Sequence, residues 1–340
     1  MKIAIHKQNG GFYDRWIEYC KNNNITYKIV NTYDSDIVMQ LEDCDAFMWD
    51  YDHADYRDIL FGKQLLYSIQ TTGKKVFPDF STGWHFNDKV GQKYLLEAIN
   101  APFVPTYIFY TEKEALKWLK NTKFPKVFKL RGGAGSANVQ LAKTKKEASI
   151  LIKKSFKQGF KQFNPKTYFL ERWNKYKDGK IGIKGIIYAL YRFTIPPQFS
   201  RMAGKEKGYV YFQDFIPNNS YDIRIIVIGD KAFAIKRIIR DGDFRASGSG
   251  NIVYERSEIN ERCIKIAFEI NNKIQSQCIA YDFVFDKNNS PLILEISYGF
   301  NAKGYDSCEG YWDNKLQWHE GKFNPYGWMI ENLLKSINVS

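Results

Sequence analysis

The chain reads as an α/β protein whose C-terminal part is α+β. Three observations predict this. Over about the first 85 residues, short apolar runs alternate with helix-like stretches, the pattern of a parallel sheet. Later apolar strands come in pairs around tight turns, as at Gly229-Asp230. The 340 residues are 44% hydrophobic, 16% aromatic and 26% charged, a globular composition that can bury a large core and divide into two or three units.

The elements follow in order. MKIAI (1–5) is a short buried strand, 12–22 a helix, YKIVN (27–31) a strand and AFMWD (46–50) a third apolar run, followed by further acids and His53. A helix over 59–71 and the strand KKVFPDF (74–80) complete a Rossmann-like sheet. No GxGxxG follows the first strand, so a dinucleotide site is not indicated. Asn87 or Asp88 caps a helix running to about Ile99. TYIFY is a strand, and Thr111 caps the next helix. Residues 125–144 are strand, Gly-rich turn and strand. After a basic insert come a strand at 209–217, the strand pair 221–240, the Gly/Ser loop DFRASGSG and a helix over about 258–275. The hairpin 280–286/291–300 and a helix over 328–335 end the chain.

Several classes are excluded. No run of about 18 apolar residues occurs, so no membrane span is expected. The start lacks the apolar core of a signal peptide. Five widely spaced cysteines, with no CxxC, indicate neither a zinc site nor a disulfide framework and fit a reduced, cytoplasmic setting. Net charge is +13, and the window 153–207 alone holds 14 Lys/Arg against three Asp/Glu. Such an excess attracts anions, unless it is simply a solvated face. Aromatic residues interleave with it, but no recognisable nucleic-acid module accompanies them, so nucleic acid is not expected as the main partner.

Chemistry concentrates in three places. Asp282 lies in IAYDFVF and Glu295 in LILEIS. A carboxylate in an apolar strand is expensive unless it is ion-paired or holds a cation, and two facing across a hairpin make a hard oxygen site suited to Mg²⁺. Ser297, two residues on, shares the face of Glu295. Lys129 ends an apolar strand just before GGAGS (132–136), whose backbone N–H groups can cradle phosphate, although this is not a Walker A motif. Asp222, Arg224, Lys236, Arg237, Arg240 and Arg245 sit on or just past strand-like segments. Their guanidinium groups suit a polyphosphate and a carboxylate; the alternative is charged sheet edges.

The order strand–Lys–Gly loop, QDFI, YDIR, KR, DFRASGSG, Asp282 and Glu-x-Ser resembles the ATP-grasp superfamily of ligases, notably the glutathione synthetase and ribosomal-protein glutamate ligase branch. It covers about residues 88–300. DFRASGSG, EISYGF and CEGYWD also resemble a subgroup found with bacterial surface-polysaccharide genes. The resemblance implies an ATP-grasp fold with a Rossmann-like N-terminal domain at 1–87, a central subdomain at 88–217 with the insert at about 153–207, and a C-terminal subdomain at 218–340. It implies ATP and Mg²⁺, with Mn²⁺ as a substitute. Lys89, Lys129 and the loop Gly132, Gly133, Gly135 and Ser136 would hold phosphates, and Gln213, Asp214, Phe215 and Ile216 adenine. Asp222, Arg224, Arg237 and Arg245 would surround the triphosphate and the activated acyl group, and Asp282, Glu295 and Ser297 the metal. Ser297 stands where many members have Asn. His53 and His85 are further candidates, read more readily as structural.

The implied reaction joins a small-molecule carboxylate to an amine through an acyl phosphate, on a saccharide or amino-acid substrate. A small-molecule kinase and a non-catalytic ATP-binding protein are the alternatives. The insert is open to three readings: contact with an anionic membrane carrying lipid-linked saccharides, a wall for a nucleotide sugar, or a homodimer contact.

Overall fold

The computed structural model describes residues 1–133, 138–239 and 250–338. β1 (Lys2–His6), α1 (Phe12–Asn22), β2 (Thr26–Val30), α2 (Ile37–Gln40), β3 (Ala46–Met48), α3 (Tyr56–Gln70), β4 (Lys75–Phe77) and α4 (Phe80–Gly83) open the chain. The four strands are parallel in the order β2-β1-β3-β4. β3 is buried throughout, as a central parallel strand covered on both faces must be.

α5 (Lys89–Ala98) starts where Asp88 accepts the Gly91 N–H. β5 (Thr106–Phe109), α6 (Glu112–Leu119), β6 (Lys126–Lys129), β7 (Gln140–Ala142) and α7 (Lys145–Lys157) follow. Thr111 and Thr144 cap the two helices by accepting backbone N–H groups of Glu114 and Glu147. The expected insert at 153–207 therefore begins too early, because 153–157 form the last turn of α7. Its body is β8 (Phe160–Lys161), α8 (Pro165–Lys177), α9 (Ile183–Thr194), α10 (Gln198–Ala203) and β9 (Lys205–Glu206), with β8 and β9 paired at its base. β10 (Val210–Asp214) then joins an antiparallel sheet of order β5-β10-β6-β7, covered by α6 and α7.

The last sheet is built from β11 (Tyr221–Ile228), β12 (Lys231–Ile238), β13 (Ile252–Val253), β14 (Cys278–Phe285), β15 (Pro291–Ser297), β16 (Gly310–Asp313) and β17 (Trp318–Glu320). Its order is β15-β14-β11-β12-β16-β17, with β13 on β12. The intervening helix α11 (Glu261–Ile274) begins three residues later than the sequence implied, after a short 3₁₀ turn at Arg256–Glu258. β16 and β17 were not foreseen.

Side chains alternate across this sheet, and both faces are used. Ile223, Ile225 and Val227 of β11 pack in the core that contains α11. Ile226 and Ile228, on the opposite face, join the core of the N-terminal sheet. So do Phe233 and Ile235 of β12, Cys278 and Ala280 of β14, and Trp328, Met329, Ile330 and Leu333 of α12 (Pro325–Asn338). That second face changes character along its length. Ile228 and Ile226 give way to Arg224 and Asp222, Ile235 to Arg237, and Ala280 to Asp282. The apolar end is sealed, while the charged end opens into a cleft. All five cysteines are buried and unpaired by disulfides.

Candidate active site

The cleft has a volume of about 910 Å³ and is lined by all three sheets. Its charged floor comes from the strand face just described. β14 and β15 place Asp282 directly opposite Glu295, beside a register shift between Asp282 and Phe283. Arg237 grips Asp222 with two hydrogen bonds, Nε at 2.7 Å and Nη2 at 2.6 Å, and reaches Asp282 Oδ2 at 3.0 Å. Arg224 Nε lies 3.5 Å from Asp282 Oδ1, which accepts no hydrogen bond. Burial pushes the Asp222 carboxyl up, and the Arg237 fork opposes it. Burial also works against ionised Asp282, but Arg224 and Arg237 overcome it and hold the carboxyl below its ordinary range.

Glu295 is served by two lysines. Lys89 Nζ, at the start of α5, stands 3.1 Å from Glu295 Oε1 and donates to the Gly133 carbonyl at 2.6 Å. Burial disfavours the Glu295 charge, while Lys89 and Lys129 more than offset it. Lys129, at the end of β6, is itself buried and drops to about 8, held from falling further by Glu295. The described part of the Gly loop is tied down here. Gly133 N–H donates to Asn87 Oδ1 at 2.7 Å, and Gly132 N–H to Glu206 Oε1 at 3.2 Å. A Cβ on Gly132 would meet Asn87 Nδ2 and Glu206 Oε1 at 3.0 Å each, so a larger residue would require both side chains to shift slightly. Gly135, Ser136 and Arg245 lie outside the described residues.

Beside the charges is an apolar slot of Val127, Ile216, Val284 and Leu294, with Phe215 and Gln213 on the same wall. A flat, apolar-faced ring fits such a slot. Gln213 donates to Thr106 Oγ1 and the Leu294 carbonyl, both at 3.2 Å. Asp214 lines the cleft and pairs through Oδ1 with Lys126 on the neighbouring strand. Ser297 lines the cleft and donates from Oγ to the Gly299 carbonyl at 3.2 Å.

The histidines separate. His85 is fully buried away from the cleft lining, and burial lowers it to about 4. His53 lines the cleft, rests on Phe86 with ring centroids 4.1 Å apart, and is lowered to about 4 by burial and by Lys89. Both are neutral near pH 7.

One cleft residue escaped the sequence reading. Asp50, just past β3, accepts the Phe12 N–H at the start of α1 at 2.9 Å. Burial pushes its carboxyl up to about 7. Gly11 (φ +68°) leaves no room beside it, because a Cβ there would lie 2.5 Å from Asp50 Oδ2. The available signal was an acid at the carboxyl end of a parallel strand, where open α/β sheets bind ligands. Tyr51 N–H donates to Tyr298 Oη at 2.6 Å and ties this strand end to the sheet bearing Glu295.

The donor set fits Mg²⁺. Asp282 and Glu295 offer hard carboxylate oxygens, held ionised, and one of them, Asp282 Oδ1, lacks a hydrogen bond. Among the described residues no group of three or more His, Cys, Asp or Glu gathers to hold a metal on its own. One or two carboxylates are what Mg²⁺ takes from a protein when phosphate supplies the other oxygens.

Residues 196–310 match the family model of the RimK-like ATP-grasp domain. The α-aminoadipate–LysW ligase LysX of Saccharolobus solfataricus is 21% identical over 279 residues, 82% of this chain and 85% of that protein. Among solved structures, the biotin carboxylase domain of Hydrogenobacter thermophilus 2-oxoglutarate carboxylase, in complex with MgADP, ADP and bicarbonate, matches with a TM-score of 0.61 at 12% identity, over 98% of this chain and 69% of that one. D-cycloserine synthetase matches with a TM-score of 0.60 at 12% identity, over 98% of this chain and 99% of that one. The chain thus has the ATP-grasp fold, and its residues 196–310 match the RimK-like ATP-grasp domain.

Proposed function

We propose that the protein is an ATP- and Mg²⁺-dependent ligase that joins a carboxylate to an amine through an acyl phosphate. The carrying observation is one cleft lined by Lys89, Lys129, Asp222, Arg224, Arg237, Asp282 and Glu295, drawn from six elements, beside an apolar slot. The division into units at 1–87, 88–217 and 218–340 is part of this reading.

Adenine occupies the slot beside Val127, Ile216 and Leu294, and Lys89 and Lys129 meet the phosphates. Asp282 and Glu295 would hold Mg²⁺, which offsets charge on the transferred phosphoryl group. A carboxylate oxygen of the substrate takes the γ-phosphoryl group and ADP leaves. The amine nitrogen then attacks the carbonyl carbon, the C–N bond forms, the C–O bond to phosphate breaks, and the amine gives up a proton. Arg224 and Arg237 stabilise the anionic acyl centre. Asp50, with a carboxyl near neutrality on the cleft wall, is matched to take that proton.

Calorimetry with MgATP tests the first half. Native protein binds in the micromolar range, and Glu295→Gln and Lys129→Ala each weaken binding. ADP release is then screened against amino acids, sugar acids and amines. Amide product supports the ligase. A stable phosphorylated substrate makes the protein a kinase, and absence of ATP binding with or without Mg²⁺ removes the reading altogether.

A further inference from the structure

The basic insert is not used by the chemistry above, and its helices expose large apolar residues that a globular protein would normally cover. A helix that covers a core turns its i, i+4, i+7 apolar stripe inward. In α9 the stripe Ile183, Ile187, Leu190 faces water, with 56%, 60% and 54% of each residue exposed. Only Ile186 and Ala189 of that helix are buried. α8 has no fully buried residue, only a half-buried face of Pro165, Tyr168, Phe169, Arg172 and Lys175. Its outward face carries Lys166, Leu170, Trp173 and Lys177 at the same spacing. The two helices touch where Phe169 meets Phe193, with ring centroids 6.1 Å apart. Cations ride on the rings: Arg172 over Tyr168 at 5.1 Å, Lys177 over Trp173 at 5.9 Å, and Arg192 over Tyr188 at 4.6 Å.

We infer that the outward face of α8 and α9 docks on an anionic lipid bilayer. Aliphatic residues ringed by Trp, Tyr, Lys and Arg are the composition of an interfacial helix. The aliphatic groups enter the acyl boundary, the rings sit at headgroup depth, and the long cationic side chains reach back to phosphate. Charge decides between this occupant and others. The window 153–207 carries 14 Lys/Arg against three Asp/Glu. A second copy would set the same positive patch against itself across a twofold axis, whereas an anionic leaflet complements it. A nucleic acid would meet the charge but leave Ile183, Ile187 and Leu190 with no partner. None of the described helices is long and apolar enough to cross a membrane, so the contact is peripheral. The inference does not depend on the ligase reading.

Co-sedimentation with vesicles tests it, using the full chain. Phosphatidylcholine vesicles containing phosphatidylglycerol pellet the protein, phosphatidylcholine alone does not, and added salt weakens the effect. The pair Ile187→Ser/Leu190→Ser and the pair Lys166→Gln/Lys177→Gln each lower the bound fraction by about tenfold, with melting temperature and ATP binding unchanged. Equal pelleting with both vesicles, or none with either, overturns the inference. So does a serine pair that pellets like the native protein, which would mean unspecific charge attraction. A native dimer that the serine pair turns into a monomer in sedimentation velocity, with no vesicle binding, assigns the face to a second copy instead.

Discussion

Along β11 the apolar residues Ile226 and Ile228 are sealed in the core, and the charges Asp222 and Arg224 stand at the cleft end with partners in reach. Along α9 the apolar residues Ile183, Ile187 and Leu190 face solvent, and no cluster of acids answers the surrounding lysines. Both regions mix charge with large apolar side chains, yet they obey opposite rules. In the sheet, charge is buried and must be balanced by opposite charge. In the insert, charge is hydrated at little cost and it is the apolar surface that is unsatisfied. A buried charge network identifies a site for a small, highly charged ligand. An exposed apolar stripe identifies a surface awaiting a broad partner.

The comparison can be broken most severely at Arg237. Replacing it with Met leaves Asp222 and Asp282 without their shared partner and costs about 3–5 kcal/mol of stability, read by urea unfolding. An unchanged midpoint would mean that the network is not structural.

Next in size is Glu295→Gln, which keeps shape and removes charge. Turnover falls by about 10²-fold, measured as ADP release once a substrate pair is known.

Lys129 supplies a pH test. Its buried ammonium titrates near 8, so ATP affinity weakens as pH rises through 8 and the cation is lost. Lys129→Ala binds more weakly below that pH and shows no break there, by calorimetry across pH 6.5 to about 9.5.

Asp50 gives a smaller effect with a definite sign. Its folded pKa near 7 lies above the ordinary aspartate value of 3.8, so the folded state holds the extra proton between those limits. Its contribution to stability is present at acid pH and is lost as pH rises through about 7. Asp50→Asn removes this decline in thermal melts. It also flattens any rise in turnover through pH 7.

The smallest effect belongs to the insert. Leu190→Ser shifts stability by no more than about 0.5 kcal/mol in the same melts, because the side chain is already in water.

Much of the frame was legible from local chemistry. Asp88 and Thr111 start helices where the sequence places caps. The apolar strands bearing Asp282 and Glu295 pair as a hairpin with the two acids opposite each other. Lys129 and Lys89, which the resemblance assigns to phosphates, lie together beside Glu295. What stayed hidden depends on partners far along the chain. Asp50 gains its meaning from burial against α1, which no local window shows. Asp214 is claimed by Lys126 through strand register. α8 has no fully buried residue, and its half-buried face mixes Pro165, Tyr168 and Phe169 with Arg172 and Lys175, so its position in the fold could not be read from amphipathic pattern.

The closing helix carries a consequence for how the chain is made. Trp328, Met329, Ile330 and Leu333 of α12 complete the same core as Ile3, Ile5, Phe12 and Trp16, and Tyr19 Oη donates to Glu331. During synthesis the first sheet leaves the ribosome long before α12 exists. Its exposed flank waits for the last residues to arrive, and contacts of such sequence separation slow the final collapse. A nascent chain stalled before residue 325 should thus remain open to protease in its first sheet, and lengthening it through α12 should close that window.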